Sequence, residues 1–190
     1  AGANSPYALG LQLWAETRIP LCEQVLDVRP HVNGVPPRVW LGDHWVSSPT
    51  GLFAENVRDF PPLLPILDGD DPTVALRAGQ VPTLIELRMH GGTIWRWNRP
   101  VYDVQDGVPQ LRIENRVLPS GPTPADMIAN AALYFGLVRS LADETTPVWS
   151  RLPFAAVNSA VYSAARDGLA GSVAWVDRDA IDVRSLVLEL

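Results

Sequence analysis

The eight residues from Leu111 to Leu118 alternate between apolar and charged types, a pattern that could serve binding chemistry. In a β-strand this alternation puts Arg112, Glu114 and Arg116 on one face. Two guanidinium groups that flank a carboxylate can bind anionic oxygens, and the carboxylate can bind a divalent cation. The same row is equally compatible with a ladder of solvent-exposed ion pairs, which would contribute little stability.

Composition limits the chemistry that the chain can perform. With 190 residues, of which 47% are hydrophobic, the chain is long enough for one large domain and is not generally disordered. Its net charge of −6 gives no electrostatic support for a nucleic-acid partner. All fifteen basic residues are arginine, which excludes a lysine Schiff base and a P-loop lysine. A bound phosphate would therefore be held by arginine, backbone amides or a metal ion.

Cysteine content and hydropathy indicate the cellular compartment of the protein. Cys22 is the only cysteine, so the sequence supports neither an intramolecular disulfide nor a Cys-x-x-Cys metal site. We interpret it as a small buried apolar side chain rather than a reactive thiol. No segment approaches the ~20 apolar residues that span a bilayer, and the start of the chain lacks the layout of a signal peptide. These patterns predict a cytoplasmic protein with no membrane partner.

The elements that precede the charged strand are predicted from proline and glycine positions. We predict helices over residues 8–27, with Pro20 starting a second helical piece, over 52–60 and over 72–78. Residues 29–49 are predicted to be a long loop with short strand pieces, and such loops often serve in binding.

The charged strand is predicted to belong to an antiparallel pair. Residues 84–89 form a strand or a helix end, which His90-Gly91-Gly92 is expected to break. Residues 93–99 alternate and are rich in β-formers, so we predict a strand that Pro100 terminates. Asp106-Gly107 marks a turn before the charged strand. An excursion of about eight to ten residues would then join the two strands.

Helical patterns follow the charged strand. Thr123, Pro124 and Asp126 have the spacing of a helix cap, a first helical residue and a capping-box acid. Apolar residues at helical spacing are predicted to pack in the core, namely Met127, Ala131, Tyr134, Val138 and Leu141. Further helices are predicted over 154–167 and from Asp182 onwards. The predicted fold class is α+β, an antiparallel sheet that carries the charged strand and has helices packed on its other face.

Several tracts resemble one protein family. The specific ones are MHGGT at residues 89–93, WRWNRPVYD at 95–103 and LRIENRVLPSGPT at 111–123. They resemble bacterial proteins of the glutamate-cysteine ligase 2 family, which belongs to the glutamine synthetase-like carboxylate-amine ligases. Weaker similar tracts are ANSPY at 3–7, ETRIP at 16–20 and ENVR at 55–58, so the resemblance covers nearly the whole chain.

The resemblance implies a ligase that depends on ATP and Mg²⁺. The γ-carboxylate of glutamate would be phosphorylated, and an amine, by default that of cysteine as in glutathione biosynthesis, would displace phosphate. By the same resemblance Glu114 would be a metal ligand, and Arg112 and Arg116 would contact phosphate or the acyl-phosphate. Arg99 is the next catalytic candidate, for a substrate carboxylate or a nucleotide phosphate. Metal ions and arginines commonly supply the charge neutralisation that phosphoryl transfer needs.

His90 and Arg96 are the candidates for nucleotide binding. His90 precedes two glycines and could line the nucleotide or metal site, although a hydrogen-bonded structural histidine fits equally well. Arg96 and Asn98 share one face of the predicted strand, where they could reach a ligand or be solvated. Trp95 and Trp97 share the opposite face, where packing is favoured over stacking on adenine.

Departures from the family pattern qualify these expectations. Family members are expected to be substantially longer and to carry acidic metal ligands near a Gly-x-Glu-x-Glu sequence, which is not found in these 190 residues. We therefore expect residues 1–190 to be a single domain, the C-terminal portion of a longer ligase catalytic domain, without ligase activity alone. Its partners would be glutamate, an amine acceptor and the N-terminal half of the ligase, with a homo-oligomer left open. The alternative is a non-catalytic binding or interaction module derived from half of a ligase.

Overall fold

The computed structural model describes residues 7–8, 10–26, 41–64, 69–118 and 121–190. Within them the chain is α+β, as predicted, and its strands pair as three antiparallel two-stranded sheets. In chain order the elements are β1 (Tyr7–Ala8), β2 (Leu11–Gln12), α1 (Arg18–Leu26), α2 (Pro49–Asp59), α3 (Pro72–Arg77), α4 (Ile85–Gly92), β3 (Asn98–Gln105), β4 (Val108–Asn115), α5 (Pro124–Asp143), α6 (Val148–Arg151), α7 (Phe154–Asp167), a 3₁₀ helix (Gly168–Ala170), β5 (Ser172–Trp175), β6 (Arg178–Asp182) and α8 (Val183–Glu189).

The described residues divide into two compact units. The first contains the described residues up to 25, residues 43–45 and those from 118 onwards, and so includes β1, β2, α5 to α8, β5 and β6. The second contains the other described residues between 26 and 117, with α2 to α4 and the β3–β4 hairpin. That residues 1–190 are a single domain and the C-terminal portion of a longer ligase stays a prediction.

A two-residue turn joins β3 to β4. Asp106 and Gly107 have φ values of 52° and 75°, the positive pair that a type I′ turn requires and that matches the twist of a hairpin. Gln105 pairs with Val108 directly across this turn. The predicted antiparallel pair and the predicted turn are confirmed. The predicted excursion of about eight to ten residues is wrong, because the residues after Pro100 continue β3 up to the turn.

Pro100 lies inside β3 and does not end it. It pairs with Ile113, and Pro109 of β4 pairs with Val104. Cross-strand pairs alternate between those that exchange backbone hydrogen bonds and those that do not, starting with the bonded pair Gln105–Val108 at the turn. Both proline pairs are of the non-bonded type, so neither proline removes a hydrogen bond from the ladder. The strand predicted over 93–99 is therefore misplaced, since β3 begins at Asn98 and runs to Gln105.

The side of the hairpin that helix α4 contacts differs from the prediction. Arg88 and two carbonyl groups of α4 contact charged side chains of β3, whereas helices were predicted on the apolar face. On that apolar face Leu111 and Ile113 remain 52% and 45% exposed. Alternation determines which side chains share a face of a strand but not which face another element covers.

Helix α4 includes the residues that were expected to break the chain. His90, Gly91 and Gly92 form its last turn, and Thr93 closes it by donating from its backbone N–H and its hydroxyl to the His90 carbonyl, at 3.0 and 2.8 Å. Residues 85–89 are thus helical, as one of the two alternatives had it, but they begin the helix instead of ending it, and the break at His90 is wrong. Glycine lowers helix stability by only about 1 kcal/mol, which the last turn of a helix tolerates.

The predicted helices over 52–60 and 72–78 are confirmed as α2 and α3, although α2 begins three residues earlier than predicted, at Pro49. Ser48 and Asp71 are their N-caps, each accepting a hydrogen bond from a backbone amide in the first turn, and a proline follows each cap. Of the loop predicted over 29–49, residues 41–49 are described; residues 41–48 form no helix or strand, whereas Pro49 already belongs to α2. Residues 3–6, 27–40, 65–68, 119 and 120 lie outside the described residues.

The beginning of the chain differs from the predicted helix over 8–27. β1 and β2 pair across a turn at Gly10, whose φ is 79°, a conformation that glycine adopts without strain. Helix α1 then begins at Arg18, with Pro20 in its first turn, as a helix-starting proline should lie.

Helix α5 begins at the predicted cap, but its predicted core stripe is not buried. Thr123 and Asp126 form the capping box, with backbone-to-side-chain hydrogen bonds of 3.3 and 3.0 Å. All twenty residues of α5 are described and none is buried; Met127 is 53% and Val138 48% exposed. The core prediction is wrong because helical spacing sets which residues share a face, while another element must cover that face to bury it.

Helices α7 and α8 lie where they were predicted, whereas the short helix α6 and one hairpin were missed. α7 ends at Gly168, and Asp182 caps α8 by accepting from the Ser185 amide at 2.9 Å. Between them β5 and β6 pair around a turn in which Asp177 has a φ of 59°. Among the described residues, no helix is long and apolar enough to cross a membrane.

Candidate functional site

One face of the β3–β4 hairpin brings three predicted site residues together. Arg99 lies directly across from Glu114 in the register. The Arg99 Nε and Nη2 atoms lie 2.7 and 2.6 Å from Glu114 Oε2, and Arg116 Nη2 lies 3.2 Å from the same oxygen. A single carboxylate oxygen therefore receives two guanidinium groups.

A second acid between two arginines lies on the same face. Asp103 Oδ1 is 2.8 Å from Arg88 Nη2, and Asp103 Oδ2 is 3.7 Å from Arg112 Nη2. Arg112 thus joins the face through Asp103 and not through Glu114, and its side chain is 53% exposed. We call this set the arginine face; it comprises Arg88, Arg99, Asp103, Arg112, Glu114 and Arg116.

The arginine face favours anions. It has four guanidinium groups and two carboxylates, so it is locally positive on a chain whose net charge is −6. Guanidinium groups bind carboxylate and phosphate oxygens through paired N–H donors. The face is therefore suited to a phosphate or carboxylate ligand.

The protonation of Glu114 reflects its two partners. Partial burial raises the pKa of the Glu114 carboxyl, but the hydrogen bonds and charges of Arg116 and Arg99 outweigh burial and hold that pKa below its usual range. Glu114 is therefore ionised at neutral pH. All its described contacts are made by Oε2, so Oε1 has no hydrogen bond or ion pair within the described part of the chain.

Helix α4 helps to orient Arg99. Arg99 Nη1 donates to the Gly91 and Gly92 carbonyl oxygens, each at 3.4 Å. Carbonyls at a helix C-terminus carry partial negative charge and attract cations. Sequence reasoning missed Arg88 and these carbonyls because their contribution depends on where α4 packs. The one signal in the sequence was the position of Arg88, about one helical turn before the Gly91-Gly92 pair.

The guanidinium of Arg116 also lies over an indole ring. Its guanidinium carbon lies 4.8 Å from the centroid of the Trp95 ring, within cation–π range. Trp95 is 39% exposed, whereas Trp97 is 5% exposed. The two tryptophans therefore differ in burial, and neither lies in a strand, although a strand was predicted over 93–99.

Arg96 lies in the interior of the second unit. Its side chain is 1% exposed, with Nη2 at 2.6 Å from Glu55 Oε2 and Nη1 donating to Asn56 Oδ1 at 2.7 Å. Arg96 Nη2 also donates to the Leu41 carbonyl at 3.1 Å. These contacts give Arg96 a structural role between α2 and the segment before β3, and its predicted nucleotide contact stays a prediction.

His90 makes a structural contact as well. Its Nε2 atom lies 2.7 Å from the Phe60 carbonyl oxygen, and this acceptor assigns the ring proton to Nε2. Phe60 and Ile94 form a small buried apolar cluster in the same unit. This geometry supports the hydrogen-bonded structural reading of His90, and its role in nucleotide or metal binding stays a prediction.

The described residues do not complete a Mg²⁺ site at Glu114. In the part of the chain that the structure describes, no three histidine, cysteine or acidic side chains are grouped so that they could hold a metal ion. Mg²⁺ prefers several oxygen ligands in octahedral geometry, and Glu114 supplies one carboxylate that two guanidinium groups already neutralise.

A cavity of about 460 Å³ lies in the first unit, between α5, α6, α8 and the β5–β6 hairpin. Its charged lining residues pair with one another: Arg151 Nη1 lies 2.7 Å from Glu144 Oε2, and Arg178 Nη1 lies 2.6 Å from Glu189 Oε2. No predicted site residue lines it. The arginine face is therefore the better candidate site.

Cys22 is half-buried in α1. Burial raises the pKa of its thiol, and nearby Arg18 opposes that effect only in part. Because the thiolate is the reactive form, this environment agrees with an unreactive thiol.

Comparison with known proteins assigns the chain to a family. The family model described as Glutamate-cysteine ligase family 2 (GCS2) matches residues 1–190, the whole chain. No curated protein and no solved structure shows a significant match to it. At the level of the family, the match indicates a carboxylate-amine ligase resembling glutamate-cysteine ligase. The chain belongs to glutamate-cysteine ligase family 2.

Proposed function

We propose that this chain supplies the anion-binding arginines of an ATP-dependent ligase that joins the γ-carboxylate of glutamate to an amine, with cysteine as the default acceptor. The observation that supports the proposal best is the placement of Arg99 and Arg116 on one oxygen of Glu114, on a chain that belongs to a ligase family.

The proposed reaction has two steps. First, the γ-phosphoryl group of ATP moves to an oxygen of the glutamate γ-carboxylate, which yields ADP and an acyl-phosphate. Then the amine nitrogen attacks the acyl carbon, the carbon–oxygen bond to phosphate breaks, and the nitrogen loses a proton as phosphate leaves. Negative charge develops on phosphate and carbonyl oxygens in both steps, so preorganised cations lower both barriers.

The arginine face would provide those cations. Arg116 and Arg112 would contact phosphoryl oxygens, and Arg99 a phosphate or the substrate carboxylate. Glu114 would hold Arg99 and Arg116 in orientation through its Oε2 atom. Mg²⁺ would neutralise the ATP phosphates, but because the described residues do not complete a site for it, no step is assigned to a metal on this chain.

An anion-binding module without turnover is the alternative. The observation that favours it is the absence of a metal-ligating cluster among the described residues. In a ligase, the N-terminal half would contribute the missing acidic ligands, and that partnership is part of the first proposal.

The test measures phosphate release by the full-length protein that contains residues 1–190, because this chain alone is expected to lack ligase activity. The assay supplies ATP, Mg²⁺, glutamate and each amino acid in turn, cysteine first. Release that depends on both glutamate and an amine, and that Arg116→Gln lowers about tenfold or more, would support the ligase. The control is Arg139→Gln, because Arg139 is 81% exposed and its one ion pair among the described residues is with Asp143. Binding of ATP without release would favour the module, and absence of both binding and release would contradict both functions.

A further inference from the structure

The contact between Trp95 and Arg116 has no assigned role in the proposed reaction. The guanidinium carbon of Arg116 lies 4.8 Å from the ring centroid of Trp95. Near this contact the backbone N–H of Arg116 donates to the Trp97 carbonyl at 2.8 Å, which ties the end of β4 to the segment before β3. The side chain of Arg116 is only 18% exposed.

Two described contacts of different kinds restrain the Arg116 guanidinium. Its Nη2 donates to Glu114 Oε2, and its guanidinium carbon lies over the ring of Trp95. All guanidinium donors point outward in one plane. The attraction of the cation to the ring needs no particular N–H donor, while it restricts rotation of the guanidinium about its hydrogen bond to Glu114.

We propose that Trp95 is a positioning residue that holds the plane of Arg116 so that its N–H donors meet an anionic oxygen. The inference rests on the proposed function, in which Arg116 binds phosphate or acyl-phosphate oxygens. Trp95 acts through Arg116 and needs no ligand contact of its own.

Stacking of Trp95 on adenine is the competing role. One face of the indole already carries the guanidinium of Arg116, so a base would have to use the other face. The positioning role and the adenine-stacking role can be distinguished by comparing two ligands, because tripolyphosphate has phosphate charges like those of ATP but no base.

The test is calorimetric titration of the chain with sodium tripolyphosphate and, separately, with ATP. Trp95→Leu removes the π-face, and Trp95→Phe retains a weaker one. Trp149→Leu is the matched control, since Trp149 is 60% exposed on α6 and has no described polar or ring contact. We expect Trp95→Leu to raise the Kd of both ligands about two- to fivefold, which is the effect of an exposed cation–π contact. Trp95→Phe should have a smaller effect, and Trp149→Leu none.

A double variant tests whether Trp95 acts through Arg116. In the Arg116→Gln background, Trp95→Leu should cause no further loss of tripolyphosphate affinity. The upfield shift that the indole ring imposes on the Arg116 Nε–H signal in NMR should also vanish in Trp95→Leu, while the unfolding temperature shows that the variant remains folded.

Three results would overturn the inference: unchanged tripolyphosphate affinity in Trp95→Leu, loss of ATP affinity alone, or an equal loss with and without Arg116. If Arg116→Gln weakens tripolyphosphate binding but Trp95→Leu does not, only the positioning role fails. If Arg116→Gln binds tripolyphosphate as the unmodified chain does, the proposed anion role of Arg116 fails and the positioning role fails with it.

Discussion

Arg99 and Glu114 face each other across the β3–β4 hairpin, with Arg99 Nε and Nη2 at 2.7 and 2.6 Å from one Glu114 oxygen. This pairing follows from the two-residue turn at Asp106 and Gly107, which sets the register of every pair in the hairpin. A slip of one residue would place Arg99 opposite Ile113 or Asn115, and Arg99 and Glu114 would no longer be cross-strand partners.

The turn therefore offers a first prediction. Gly107→Ala should lower the free energy of unfolding by about 1 kcal/mol, because an L-residue is strained at a φ of 75°. Gly136→Ala is the matched control. Both glycines have open space for a Cβ, but Gly136 lies within α5 without a positive φ, so the change should stabilise by about 0.5–1 kcal/mol. Urea unfolding measures both, and the same sign for the two variants would contradict the prediction.

The Glu114→Gln variant distinguishes the effect of the carboxylate charge from the effect of Glu114 on the orientation of Arg99 and Arg116. Removing the carboxylate charge should tighten metal-free tripolyphosphate binding about two- to threefold, since a negative charge close to the ligand is lost. Phosphate release that depends on Mg²⁺ should fall in the same variant if Glu114 also binds the metal. Asp103→Asn makes the same charge change at the more peripheral pair and should alter release less. The glutamine carbonyl can still accept hydrogen bonds from Arg99 and Arg116, so a fall in tripolyphosphate affinity would contradict this expectation and show that their orientation requires the carboxylate charge.

The pH dependence of stability should carry a Glu114 component. Burial raises its pKa, yet Arg116 and Arg99 together hold the pKa below the ordinary value of 4.5. The folded protein thus keeps Glu114 ionised to lower pH than the unfolded chain, so the contribution is present above pH 4.5 and is lost as pH falls below it. The difference in unfolding free energy between the unmodified chain and Glu114→Gln should be constant above about pH 5.5 and shrink towards pH 3. A difference that stays constant or grows would refute this assignment.

The buried pair of Arg96 and Glu55 should matter more for folding than any surface pair. Glu55→Gln leaves the Arg96 guanidinium charged and buried, and should cost about 3–5 kcal/mol. Asp143→Asn breaks a pair whose side chains are 81% and 61% exposed, and should cost less than about 1 kcal/mol. Similar losses in urea unfolding of the two variants would contradict a buried, structural Arg96.

Tyr162 should lose its proton at a higher pH than an exposed tyrosine does. Burial, together with its hydrogen bond to Glu23 Oε1 at 2.9 Å, raises the pKa of Tyr162 from 10 to about 12. Because the folded pKa is the higher one, this stability is complete below pH 10 and is lost as pH rises from 10 to 12. The ultraviolet absorbance of tyrosinate should show a late-titrating tyrosine that Tyr162→Phe removes. A titration curve that Tyr162→Phe changes only near pH 10 would exclude the raised pKa.

Short-range features of this protein were readable from its sequence. The Thr123–Asp126 capping box and the Asp106-Gly107 turn depend on residues within a few positions of one another, and local backbone geometry decides them. The alternation in β4 likewise predicted that Arg112, Glu114 and Arg116 share a face, because side chains on a strand alternate with a period of two.

Tertiary structure decided which residues meet and which are covered. Trp95, Arg96 and Trp97 are consecutive, yet they are 39%, 1% and 5% exposed, because α2 supplies the partners that bury Arg96. Arg88 joins the arginine face only because α4 lies against β3. No residue of the apolar stripe of α5 is fully buried, because no described element covers that stripe completely. The periodicity of apolar and polar residues in a sequence predicts which side chains lie on the same face of a helix or strand. Contacts between residues far apart in the chain determine what covers that face.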